Sequence, residues 1–93
     1  MKLRHAAALA LVGWYLLVPP WVAPNQFDAT APLAQWPQVK SFDSAAACEQ
    51  HRLGAFRHFS ANKEKLDEAA AEYNARLYRA ALCVETDDPR LGK

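Results

Sequence analysis

The stretch "LVGWYLLVPPW", Leu11–Trp21, decides how the chain is read, because it is the longest bulky apolar run and two prolines stop it. Upstream, Lys2, Arg4 and His5 make a short basic start, and Ala6 to Val18 then carries no charge. A basic start before an apolar segment is the pattern of a secretory signal. As a helix, Ala6 to Val18 covers about 20 Å, and Lys2 to Val18 about 25 Å, against a hydrocarbon core of roughly 30 Å. The first length suits a signal peptide, and the second a short signal anchor with Lys2 and Arg4 snorkelling. Pro19 disfavours a helical Val18, and Pro20 cannot occupy a helix interior, so the helix is expected to end there. Trp14, Tyr15 and Trp21 then fall at the outer membrane interface, where amphipathic rings collect. Trp21-Val22-Ala23 and Ala29-Thr30-Ala31 are poor cleavage sites, the first because of its bulky leading residue and both because proline follows. Residues 1–18 are therefore read as a membrane-directed helix, either a signal peptide or a retained anchor.

The remaining chain is small. Of 93 residues, 19 are alanine, so a hydrophobic content of 52% overstates the area available to a core. Lys and Arg number 11 against 10 Asp and Glu, a balance that gives nucleic acid no basic surface to bind. With only three glycines and no internal repeats, the composition disfavours an all-β architecture.

Residues 19–40 contain five of the six prolines and show neither helical nor strand periodicity, which predicts an extended, polyproline-like linker. Its apolar residues Leu33, Trp36 and Val39, with Phe42 just beyond, are expected to pack on the helices that follow. Ser41 or Asp43 can cap a helix starting near 44, whose buried side would hold Ala45, Cys48, Arg52, Ala55, Phe56 and Phe59. A second helix is read from Leu66, Ala69, Ala70, Tyr73, Leu77, Ala80, Ala81 and Val84, with Glu72 and Arg76 as a favourable i,i+4 pair on its solvated face. The polar cluster "SANKEK", Ser60–Lys65, separates the two, giving a helical hairpin over 41–85 and a C-terminal turn and tail over 86–93.

Cys48 and Cys83 arbitrate between a hairpin and one long helix. A continuous helix holds them about 52 Å apart, whereas a disulfide needs Cα atoms roughly 5.5 to 6 Å apart. In an exported chain the pair reads as a disulfide closing the open end of the hairpin, formed within one chain or exchanged between two. Their midpoint falls beyond the expected break, so either the loop climbs or the second helix ends before Cys83.

Other chemistry is sparse. Cys48, His51, His58 and Cys83 could be assembled into a zinc shell, but the histidines project away from the Cys48 direction and exported cysteines oxidise. Asp87 and Asp88 could be proposed as an acid–base pair, yet "TDDPRL" reads more simply as a helix stop with Arg90 neutralising an acid. No catalytic motif, cofactor motif or lipidation site is found.

The landmarks "GWYLLVPP", "APLAQW", "SFDSAAAC" and "CVETDDPRL" resemble a group of short, uncharacterised bacterial exported proteins. The resemblance implies an envelope location and a Cys48–Cys83 pair, and it brings no activity with it. The sequence thus predicts an all-α protein: a membrane-directed helix, an extended proline-rich linker and a disulfide-closed antiparallel helical hairpin. The expected function is that of a non-enzymatic envelope interaction or structural module with an envelope protein partner. It would be membrane-tethered through residues 2–18 if uncleaved, and periplasmic or secreted if cleaved. The competing reading is a secreted metal-binding or enzyme-inhibitory miniprotein.

Overall fold

The computed structural model describes residues 13–62 and 67–92, and it overturns the all-α expectation. The elements run β1 (Trp14–Leu17), β2 (Trp21–Ala23), β3 (Gln26–Phe27), a 3-10 turn at Leu33–Gln35, β4 (Gln38–Phe42), α1 (Ala45–Ala61), α2 (Glu68–Ala80), β5 (Leu82–Glu85) and a 3-10 turn at Pro89–Leu91. β1 is the central strand of a three-stranded antiparallel sheet ordered β4-β1-β5, and β2 and β3 form a separate hairpin.

The apolar segment is therefore a strand where the sequence predicts a helix. In β1, Trp14 and Leu16 face the helices together with Val18, while Tyr15 and Leu17 face the other way. Because both faces of the sheet are covered, the strand reads as one continuous apolar run with no alternation, and hydropathy alone cannot separate that from a membrane-directed helix. Pro19 and Pro20 do end the element, but as residues without an N–H to continue a β ladder. Val18 donates its N–H to the Pro37 carbonyl at 3.1 Å, and Pro19 is fully buried. A leader ending at residue 18 would carry the central strand away with it. Residues 1–12 of the expected membrane-directed helix lie outside the described residues, and among those described no helix is long and apolar enough to cross a membrane.

Two core clusters follow from the alternation. Leu16, Val18, Cys48 and Ala81 form one, with Trp14, Phe42, Leu77, Tyr78 and Cys83 packed around them. Leu17, Trp36 and Val84 form the other, with Tyr15, Ala31, Leu33 and Leu91 at its margin. Leu33 and Trp36 thus cover the sheet face away from the helices, contrary to the expectation that they pack on them, and Val39 is exposed. The proline-rich segment is no free linker. It supplies the β2–β3 hairpin, a capping layer and the edge strand β4.

The helical hairpin is present, with altered ends. Ser44, rather than Ser41 or Asp43, caps α1 by accepting the Ala47 N–H at 3.1 Å, and Asp67 caps α2 by accepting that of Ala70. α2 stops at Ala80, so Cys83 and Val84 are strand residues. This resolves the misplaced midpoint of the cysteines, since extended chain rises about 3.3 Å per residue against 1.5 Å in a helix. "TDDPRL" accordingly follows a strand, not a helix. The buried residues of α2 are Ala71 and Ala75, while Ala69 and Ala70 are exposed, so its packing face is rotated from the predicted one. The expected Glu72–Arg76 ion pair does not form among the described residues.

Candidate functional site

The best-defined chemical feature is the Cys48–Cys83 disulfide, formed within one chain, with Cα atoms 6.1 Å apart. Cys48 sits one turn into α1 and is 0% exposed. Cys83 lies directly opposite Leu16, itself 0% exposed, in the β1–β5 register. The bond thus ties the first turn of α1 to the strand that flanks β1, closing the sheet–helix interface over Leu16. Arg52 reinforces the same end. Its guanidinium donates to Glu49 Oε1 from Nε at 3.0 Å and Nη2 at 2.7 Å, while Nη1 donates to the Tyr78 carbonyl at 3.2 Å, one of the last carbonyls of α2.

The two bonded sulfurs cannot serve as the zinc thiolates considered above. The histidines are engaged elsewhere: the His51 ring lies 5.3 Å from that of Phe42, and the His58 ring 5.1 Å from that of Phe59. Among the described residues no group of His, Cys, Asp and Glu is placed to hold a metal. Asp88 is a structural cap. Its carboxylate accepts the Arg90 backbone N–H at 2.8 Å and the Arg90 side chain through Nε and Nη2. These bonds hold its pKa below the ordinary 3.8 and raise that of Arg90. Asp28 is lowered in the same way by accepting from the Thr30 hydroxyl and N–H.

The three aromatics assigned to a membrane interface do not share one surface. Trp14 and Tyr15 project to opposite faces of β1 and pack into different core clusters. Trp21 stands on β2 and is 64% exposed, with Val22 beside it at 54%. The hairpin that carries them is docked on α2: the Phe27 ring meets Tyr73 edge-on at 5.8 Å, and Arg76 lies over both rings. Arg76 Nη2 also donates to the Asn25 carbonyl at 3.1 Å. The Pro24-Asn25 turn, with Asn25 at φ 62°, is what "APNQ" encodes, since proline followed by a residue tolerating positive φ is a turn signature. That signal was legible in the sequence, whereas the Arg76–Phe27–Tyr73 contact joins residues too far apart in the chain to be read from spacing.

In comparisons with known proteins, the chain matches no family model, no curated protein and no solved structure.

Proposed function

We propose that the protein is a non-enzymatic interaction or structural module of the bacterial envelope, working in an oxidising compartment. The observation that carries this reading is the disulfide, which uses both cysteines of the chain and lies within the core. Bonds of this kind persist outside the reducing cytoplasm. Positive observations also favour an interaction role over chemistry: the candidate acid Asp88 is committed to a cap, and His51 and His58 to aromatic contacts. The partner-facing element in this reading is the β2–β3 hairpin, whose exposed Trp21 lies across the strand pair from Phe27, the ring that Arg76 covers. Trp and Arg are the residue types that most often anchor protein interfaces.

Thiol trapping after cell fractionation tests the location. The expected result is a chain with no alkylatable thiol, found outside the cytoplasm and retaining Trp14–Leu17 by intact mass. Reduced thiols on chain confined to the cytoplasm would overturn the reading.

A further inference from the structure

We infer that the β2–β3 hairpin and the α2 side chains it docks on form a surface for an acidic linear peptide segment of a partner protein, with Trp21 stacking on an apolar residue of that segment and Arg76 taking its carboxylate. The inference rests on the interaction reading of the hairpin and names the kind of partner. Arg76 is its starting point. Glu72 lies one turn back on α2, a position from which a carboxylate ordinarily pairs with an arginine, yet Arg76 forms no ion pair among the described residues. Its guanidinium is instead held over the Phe27 and Tyr73 rings, 5.8 Å from each centroid, with Nη2 donating to the Asn25 carbonyl. A guanidinium carries five N–H donors in a rigid fork that matches a carboxylate, so a positioned fork remains for an anion from outside. Residues 19–27 contain no Asp, Glu, Lys or Arg, and Asp28, the next acid along, is committed to the Thr30 hydroxyl and N–H. Arg76 therefore supplies the charge that meets an uncharged hairpin, and complementarity selects an acidic occupant.

Shape narrows the class. Trp21, at 64% exposure, stands across the strand pair from Phe27, and Val22 beside it is 54% exposed. Directly opposed residues share a face with β carbons about 5 Å apart, and the Arg76 guanidinium lies 5.8 Å from the Phe27 ring. Indole and guanidinium are thus separated by roughly 10 Å, about three residues of extended chain. The two paired strands lie within Trp21–Phe27, against roughly 20 to 30 residues a side in a stable interface between folded proteins, so the occupant is a short segment and not a domain. An acidic residue three along from a proline, leucine or aromatic residue fits both ends. Pro20 and Pro24 flank β2 and carry no N–H, so recognition runs through side chains and not through strand addition.

Panning of phage-displayed random dodecapeptides against the oxidised full-length chain tests the inference, with the affinities of enriched peptides read by fluorescence anisotropy. Enriched sequences are expected to carry Asp or Glu about three residues from a proline, leucine or aromatic residue, and added salt should weaken their binding. Trp21→Ala and Arg76→Gln should each weaken binding about tenfold or more. Because Arg76→Gln also removes the bond to Asn25, changing the peptide's acid to its amide reads the same contact without touching the fold, and it should cost a similar factor. Absence of enrichment, enriched peptides without an acid, affinity indifferent to the amide change or to Trp21→Ala, binding to polygalacturonate in place of any peptide, or self-association of the chain that Trp21→Ala abolishes would each overturn it. Peptide binding is read on purified oxidised protein and location by thiol trapping in cells, so failure of the one is distinct from failure of the other.

Discussion

Individual residues in this chain carry roles that local geometry makes testable. At Gly13 an added Cβ would lie 3.0 Å from the Phe42 carbonyl oxygen, so Gly13→Ala must push β1 from β4 and should cost about 1 to 3 kcal/mol. Gly54 is the opposite case. Nothing lies within 4 Å of its added Cβ, and Gly54→Ala should stabilise the protein by about 1 kcal/mol through helix propensity alone. Urea titration distinguishes the two as midpoint shifts of opposite sign. The carboxylates of Asp28 and Asp88 have lowered pKa values because each accepts hydrogen bonds in the folded chain. Their contribution is complete above the ordinary 3.8 and is lost as pH falls through the lower folded values, so stability should decline on acidification below about pH 4. Asp88→Asn should flatten that acid limb in a series of thermal melts.

At the scale of elements, the two exposed-or-buried tryptophans outside β1 separate packing from surface. Trp36 is 8% exposed and donates Nε1–H to the Ala31 carbonyl at 2.8 Å, sealing the sheet face away from the helices. Trp36→Ala should cost about 3 to 5 kcal/mol, whereas Trp21→Ala should change stability by about 0.5 kcal/mol or less. Equal losses in chemical denaturation would show that the hairpin is part of the core. The helices are legible from the alanine-rich run after Ser41–Asp43, the three-and-four spacing of the second run and the polar cluster after Phe59, whereas the caps themselves, Ser44 and Asp67, are set by the structure. The packing face of α2 is not legible, because Ala71 and Ala75 bury little area and give weak signals beside Leu77 and Tyr73. β1 is not legible as a strand for a physical reason: a strand covered on both faces has no alternation. Counted from Ala6 the uncharged run is also long enough for a helix, so length does not separate the two readings. β4 and β5 were hidden by their partner, since neither has periodicity of its own and both acquire meaning only by pairing with β1. At the candidate site, the cysteine pairing could be read from two residues and a compartment, but its seat over Leu16 required the sheet.

The whole molecule is a sheet whose middle strand comes from near the start of the chain and whose last strand comes from near its end, clasped by one disulfide to a helical hairpin. Closing a loop of 35 residues stabilises the fold by about 3.5 to 4 kcal/mol on the chain-entropy model. Cys48→Ala and Cys83→Ala should therefore each lower stability by a similar amount, seen as matched decreases in thermal midpoint. Unequal losses would mean that one sulfur contributes mainly through packing. Trp14–Leu17 as the central strand, and not a membrane-directed helix, is the feature on which the whole fold depends. Nuclear Overhauser spectroscopy of the oxidised protein tests that directly. Cross-strand backbone contacts from Leu16 to both Cys83 and Lys40, and from Tyr15 to Val84, are the predicted result, and helical i,i+3 contacts running from Gly13 through Val18 would contradict it.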